Sequence, residues 1–309
     1  MKKLRKSRFL TVLFARKSVV LCTCILAIMM LAAALAPIIT VHDPIRNDLT
    51  NMLADMSPRH PLGTDGLGRD VLTRLIHGGR ISFVVGFVSV FIAGSIGMLV
   101  GLVSGMRGGI VDSILMRIID AMSSIPMIIL ALFLGNIFGR GLLNICIAIG
   151  VVMIPGYARL TRGQVLTLKN ADYVTAGTLC GASKLKNTIK HVFPNCVPYN
   201  IIAMTTSLGA AILVESALSY LGMGINPPTA TWGSMVYDGY GRLATHPVLA
   251  IAPGVAIMIV VLCFSIVGDA VRDALDPKLR GTMGNTKRKR GAFRSLKAVA
   301  LGDGAIKRG

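Results

Sequence analysis

The sequence predicts an all-α polytopic membrane protein with six transmembrane helices. Of its 309 residues, 53% are hydrophobic and only 15% are charged, and the mean hydropathy of +0.67 is too high for an ordinary soluble domain. Several windows of about 20 residues carry almost no charge, and a helix of that length crosses a hydrocarbon core of about 30 Å. These windows lack the alternating pattern of a membrane β-barrel, so helices are the predicted elements.

The six predicted spans follow one another along most of the chain. The first resembles a signal peptide in part, because basic residues precede it and Ala34-Leu35-Ala36 is similar to a cleavage site. Its apolar run is longer than the core of a typical signal peptide, and Pro37 follows directly, so an uncleaved helix is favoured. We place the spans at residues 19–40, 81–105, 113–135, 142–157, 197–221 and 247–267.

The distribution of basic residues predicts the orientation. An even number of spans places both termini on one side, and the segments assigned to that side hold 26 of the 33 Lys and Arg residues. Such an excess marks cytoplasmic segments of membrane proteins, so both termini are predicted to be cytoplasmic. The net charge of +19 is thus mostly a topology signal, and no nucleic-acid partner is predicted because the basic residues are dispersed along membrane flanks.

Motifs for catalysis and nucleotide binding are absent from the sequence. Neither G-x-x-x-x-G-K-[ST] nor H-E-x-x-H nor G-x-S-x-G occurs, so the chain is not predicted to be an enzyme. None of the six cysteines falls in a predicted outer loop, so no structural disulfide is expected. No metal site is predicted either, because the spacing of the outer histidines fits no compact motif: His42, His60, His77 and His246.

The predicted cytoplasmic stretch 171–195 carries the most informative pattern. We interpret it as two short helices that are broken at Gly181 and closed by Pro194. Small residues recur at helical steps on one face, where another protein could approach closely, and a second stripe is apolar. The alternative is a connector that rests on the membrane surface. The first face holds Tyr173, Ala176, Gly177 and Cys180, and the second holds Leu185, Ile189, Val192 and Phe193.

A few polar residues and prolines lie inside the predicted spans. Glu215 is the one acid deep in a span, and it marks a functional-site hypothesis because an ionisable group is costly to place in lipid. Pro126 and Pro155 are expected to kink their helices and to loosen them for conformational change. Arg117 and Asp120 lie three residues apart and are expected to pair along one helix.

The stretch 171–195 resembles the cytoplasmic loop of ABC-type importer permeases, whose pattern begins Glu-Ala-Ala and has a glycine after three further residues. When the two are aligned on Gly181, Ala176 matches the triad, whereas Thr175 and Gly177 depart from it. The downstream pattern fits Gly181, Ala182, Ser183, His191 and Pro194.

Further segments resemble the second permease subunit of dipeptide, oligopeptide and nickel importers. They occur in the order and spacing of that family over roughly residues 19–280. The segments are HPLGTDGLGRD at 60–70, MRIIDAMSSIP at 116–126, ALSYLGMGINPPTATWGSM at 217–235 and GDAVRDALDPKLR at 268–280.

This resemblance implies a MetI-like bundle that forms half of a translocation pathway. It implies a homologous sister permease as heterodimer partner, an outer solute-binding protein, contact with membrane lipid, and two cytoplasmic ATPases that bind ATP and magnesium, while this chain binds no cofactor. The residues of the loop that match or align with the family pattern would contact an ATPase. They are Tyr173, Thr175, Ala176, Gly177, Gly181, Ala182, Ser183, His191 and Pro194.

The resemblance also bears on the pathway and on the cargo. Glu215, Pro126 and Pro155 are the candidate pathway or gating residues, and for Glu215 we favour packing or gating over solute recognition. The implied cargo is a di- or oligopeptide or a related small solute, and a nickel or metal-chelate importer of the same family is the alternative. From a different class, a self-contained secondary transporter would need more intramembrane charges than this sequence has.

The predicted organisation has four parts. These are a basic cytoplasmic tail at 1–18, the first transmembrane helix with an outer loop at 19–79, a five-helix permease core at 80–275 that contains the ATPase-coupling loop 159–196, and a basic cytoplasmic tail at 276–309.

Overall fold

The computed structural model describes residues 16–275, and the regular elements within that range are helices. Most of both predicted tails, 1–18 and 276–309, lies outside the described residues. In chain order the helices are α1 (Lys17–Ala34), α2 (Ala36–Ile39), α3 (Val71–Arg107), α4 (Gly109–Ser123), α5 (Met127–Phe138), α6 (Leu142–Leu168), α7 (Asp172–Leu179), α8 (Lys184–Asn187), α9 (Phe193–Tyr220), α10 (Trp232–Tyr240) and α11 (Val248–Leu275).

Five of these helical segments are long and apolar enough to cross a membrane, and the pair α4 and α5 provides a sixth if it counts as one bent span. The all-helical prediction is therefore confirmed, and the count of six holds when the pair α4 and α5, which turns by 95°, is counted as the third span. The break lies at Pro126, which has no backbone N–H and takes an extended conformation (ψ 132°) as the N-cap of α5. The proline thus reorients the span far more than a simple kink would.

The core of the bundle is the contact between α3 and α6, the most extensive contact between two helices in the described part of the chain. Three glycines on one face of α3 allow it. A Cβ atom on Gly97 would lie 2.5 Å from Cβ of Tyr157, and one on Gly101 would lie 2.4 Å from the carbonyl oxygen of Ala158. Gly105 continues the same face. The two backbones therefore approach more closely than any larger residue would permit.

Helix α6 extends beyond the predicted end of the fourth span, because its polar inner end is paired with α4. Arg162 makes two hydrogen bonds to Asp112, at 2.6 and 2.7 Å. Arg159 contacts Asp120 at 2.9 Å, so the expected pair of Arg117 with Asp120 is wrong. A neighbouring helix brings a cation directly to the Asp120 carboxylate, and this contact replaces the one within α4.

The segment between α2 and α3, which is the predicted outer loop, folds compactly over the start of α3. Asp48 accepts hydrogen bonds from Thr50 and Asn51, which lower the pKa of its carboxyl. Asp65 lies 2.7 Å from Nε of Arg69 and 3.4 Å from Nε of Arg74. Both of these arginines are buried, so their pairing with aspartate offsets the cost of removing the charges from water.

We expect that Gly101→Ala destabilises the protein by about 1–3 kcal/mol, because the new methyl group would overlap backbone atoms of α6. Gly163→Ala is the matched control, since this glycine of α6 is exposed and has nothing within 4 Å of the added Cβ. The midpoint of thermal unfolding of the detergent-solubilised transporter measures the stability of both variants. Equal midpoints for the two variants would contradict the close approach of α3 to α6.

Candidate functional site: a helical loop and a buried carboxylate

The loop between α6 and α9 consists of two short helices, as the sequence predicted. Helix α7 ends at Leu179, and Gly181 then reverses the chain with a φ of +81°, a conformation that glycine adopts without strain. Ser183 caps α8 by accepting a hydrogen bond from the backbone N–H of Lys186 at 3.3 Å. The reversal is therefore encoded locally by a glycine and a capping serine.

The loop does not close at Pro194, so this part of the prediction is wrong. Helix α8 continues through one π-helical turn, Thr188–Val192, directly into α9, and Lys184–Tyr220 forms a single 37-residue helical segment. The prediction assumed that proline ends a helix. Pro194 directly follows the π-turn, at the first positions of α9, where its fixed φ is compatible with the helix.

A small apolar cluster anchors the underside of the loop to the bundle. Val174 of α7 and Val192 of the π-turn are buried against Val165 at the end of α6 and Cys196 at the start of α9. Asn187 fastens α7 to α8, because its side-chain N–H groups donate to the hydroxyl of Thr178 at 2.9 Å and to the carbonyl of Val174 at 3.3 Å. These contacts make the loop one packed unit.

The opposite side of the loop is exposed and apolar. Leu179, Leu185 and Ile189 have relative exposures of 84%, 68% and 59%. Several large exposed side chains on one short helical pair are typical of a protein-interaction surface. We call the surface formed by these three side chains and by the exposed Tyr173 and Ala176 the loop face.

The predicted loop residues fall into two groups in the structure. Gly177 is partly covered, because it packs against the side chain of Asn187, and the ring of His191 lies 6.3 Å from the ring of Tyr173. Ala182 is also partly buried. The exposed members are Tyr173, Thr175, Ala176, Gly181, Ser183 and Pro194.

A buried polar contact connects the base of the loop with the core. The side-chain amide of Asn200 on α9 donates to the hydroxyl of Thr161 on α6 at 3.0 Å and to the carbonyl of Cys196 at 3.2 Å. Both Asn200 and Thr161 are buried. A buried polar pair resists separation because each partner would otherwise lose its hydrogen bond, so α6 and α9 are linked just above the loop.

Glu215 on α9 is completely buried and lies among hydroxyl groups. It accepts hydrogen bonds from Ser82 of α3 at 3.0 Å and from Ser219 of α9 at 2.8 Å. Thr231, which caps α10, donates to the hydroxyl of Ser219 at 3.3 Å. The backbone N–H of Trp232 reaches the Ser82 hydroxyl at 3.4 Å. The carboxyl group therefore joins three helices, α3, α9 and the N-terminus of α10.

Pro126 and Pro155 lie along one open groove of about 550 Å³ between α4, α5, α6 and α9. Most of its lining is apolar, and its polar groups come from Ser123, Tyr157, Arg159 and Ser207. Glu215 does not belong to the lining. The structure therefore brings the two predicted prolines together and separates them from the predicted carboxylate.

Sequence reasoning missed Asn187, Asn200 and the hydroxyl partners of Glu215. Asn200 interrupts an otherwise apolar run, and this interruption is the signal that could have marked it, whereas Asn187 stands among polar residues and carried no signal. The partners of Glu215 carried no signal of this kind, because Ser82 precedes it by 133 positions and serines are common in membrane helices.

Comparison with known proteins agrees with this architecture. Residues 97–281 match the family described as "Binding-protein-dependent transport system inner membrane component". The di/tripeptide transport system permease protein DppC of Pseudomonas aeruginosa (strain UCBPP-PA14) is 40% identical over 254 residues, which cover 80% of this chain and 84% of the relative.

Two further relatives are of the same kind. The dipeptide transport system permease protein DppC of Escherichia coli (strain K12) is 47% identical over 224 residues, or 72% of this chain and 75% of the relative. The glutathione transport system permease protein GsiD of Shigella flexneri serotype 5b (strain 8401) is 40% identical over 234 residues, which cover 76% of this chain and 77% of the relative.

The fold has a counterpart among solved structures. A chain of the inward-facing MetNI methionine ABC transporter superposes with a TM-score of 0.55 at 22% identity, covering 66% of this chain and 98% of that chain. At this low identity the match supports the fold, and the family follows from the sequence relatives. The chain therefore belongs to the binding-protein-dependent transport family: it is a multi-pass inner-membrane protein of the ABC importer permease type.

Proposed function

We propose that this chain forms half of the translocation pathway of a peptide importer. Separate ATPases bind its loop face and supply the energy for transport. The loop face is the observation that carries the proposal, because its apolar side chains are exposed while its underside is packed into the bundle. The assembly further includes a homologous sister permease and an outer solute-binding protein. The loop and both termini face the cytoplasm, in keeping with the excess of basic residues on that side.

The transmission of force follows from the continuity of the chain. A displacement of α8 moves α9 directly, since the π-turn joins them without an intervening loop. The Asn200–Thr161 contact passes the movement on to α6, which carries Pro155 and one wall of the groove. A stiff connection is needed for this role, because a flexible loop would absorb the displacement.

The groove beside Pro126 and Pro155 is proposed as this chain's share of the pathway. Its apolar lining with a few polar groups suits solutes with a shared backbone and variable side chains, such as short peptides. The names of the relatives, which include dipeptide, di/tripeptide and glutathione permeases, support peptide cargo. ATP and magnesium are bound by the partner ATPases, and this chain itself is non-catalytic.

We expect Ala176→Trp and Leu185→Ala to reduce ATP-dependent uptake by about tenfold or more, because the first obstructs the loop face and the second removes an anchor from it. Both side chains are exposed, so neither change disturbs packing within the chain. Uptake into proteoliposomes and the co-purification of the ATPases measure the effect.

Lys190→Ala is the matched control, because Lys190 is exposed on the same segment but lies off the apolar stripe. It should keep uptake within about twofold of the wild-type value. Normal uptake in both loop-face variants would contradict the proposed ATPase contact.

Glu215 is proposed to hold the helices together and not to select cargo. Glu215→Ala removes the acceptor of the Ser82 and Ser219 hydroxyls and leaves a cavity, so we expect a loss of about 2–4 kcal/mol in stability. Glu215→Gln retains an acceptor oxygen and should be milder. Competition among peptides for uptake should show the same order of preference in Glu215→Gln as in the wild type. A changed order would instead assign solute recognition to this residue.

A further inference from the structure

Two histidines and an aspartate meet at the outer surface, far from the loop face. One candidate ligand atom from each of His42, His60 and Asp70 lies within 4.8 Å of the other two. The rings of His42 and His60 are stacked, with centroids 4.7 Å apart and planes inclined by 28°. The three residues come from separate parts of the outer loop, and the fold of that loop brings them together.

The hydrogen bonds of this cluster fix which ring nitrogens carry protons. Nε2 of His42 lies 3.0 Å from the carbonyl oxygen of Arg59, and a carbonyl oxygen only accepts, so Nε2 is the donor. Nδ1 of His42 is then the nitrogen with the free lone pair. Nδ1 of His60 lies 2.9 Å from Oδ1 of Asp70 and donates the proton between them, so an ion bound by both residues takes the place of this proton.

The carboxylate is held firmly in its place. Asp70 is buried, and its second oxygen accepts a hydrogen bond from the backbone N–H of Thr73 at 2.8 Å as the N-cap of α3. Asp70 therefore holds its Oδ1 in a fixed position beside Nδ1 of His60, and the two atoms form a preformed pair of candidate ligands.

We propose that His42, His60 and Asp70 bind a divalent transition-metal ion such as Zn²⁺. Two imidazoles and one carboxylate favour Zn²⁺, Ni²⁺ or Co²⁺ over Mg²⁺ and Ca²⁺, which prefer oxygen ligands only. Three protein ligands leave one tetrahedral position for water. This ion is a resident of the outer surface and not a cargo, because the site lies on the loop that covers α3 and outside the groove.

Ion binding needs only a small local adjustment. Ligand atoms about 2.1 Å from a tetrahedral ion lie about 3.4 Å from one another, so the widest present separation must shrink by roughly 1.4 Å. His42 and His60 are only partly buried, and rotation of their rings can supply this movement while Asp70 stays fixed. The ion would then tie the segment after α2 and the loop around His60 to the first turn of α3.

Zinc binding to the purified, chelator-treated transporter tests this proposal. Titration with Zn²⁺ against a chromophoric chelator should give one more equivalent for the wild type than for His42→Gln, or at least a tenfold weaker affinity at that site in the variant. His60→Gln should lose the same equivalent. His246→Gln is the control, because His246 is partly buried like His42 and His60, and its side-chain hydrogen bond in the described part of the chain goes to the neighbouring Thr245 and not to the cluster.

A second measurement separates loss of the site from misfolding. The unfolding midpoint of the wild type should rise on addition of Zn²⁺, whereas that of His42→Gln should not, although the two midpoints agree without metal. An unchanged zinc stoichiometry and affinity in both site variants, or an equal loss in His246→Gln, would overturn the assignment. These readouts do not involve transport, so they are independent of the proposed cargo.

Discussion

The close approach of α3 to α6 is the constraint on which the rest of the bundle depends. Lipid provides no hydrophobic force between helices, so their association relies on tight packing, and Gly97, Gly101 and Gly105 make that packing possible. Near the N-terminus of α3, Gly79 leaves room for the ring of Trp232 and so positions α10. At the C-terminal ends of α3 and α6, the same helix pair forms the platform on which the loop cluster packs.

This packing explains why the loop is firmly connected to α9 and α6, whereas an open groove lies beside Pro126. The loop, α9 and α6 are joined by a buried asparagine and by a helix that continues through a π-turn. Proline interrupts the neighbouring span at Pro126, beside the groove, where hydrogen bonds of the backbone are already missing. In the proposed function, force from the loop face passes along α9, and the interrupted span allows the wall of the groove to rearrange.

Much of this fold could be predicted from the sequence, because a charge-free window of sufficient length has few alternatives in a membrane. The effects of individual prolines could not, since Pro126 lies at a 95° bend between two helices whereas Pro194 lies within a continuous helical segment, and the difference lies in the neighbouring backbone. The partner of Asp120 was mistaken because it comes from another helix. The outer histidines appeared unrelated for the same reason: the path of the loop, and not their spacing, brings His42 to His60.

The rigid link between the loop and α9 is the central claim, and distances between spin labels test it most directly. Labels at residues 186 and 199 lie on one helical segment, about 20 Å apart at 1.5 Å per residue, and can be introduced after replacement of the exposed Cys24 and Cys180. We predict that ATP binding leaves this distance unchanged while residue 186 moves relative to the sister subunit. A change in the 186–199 distance with residue 199 stationary would contradict the account.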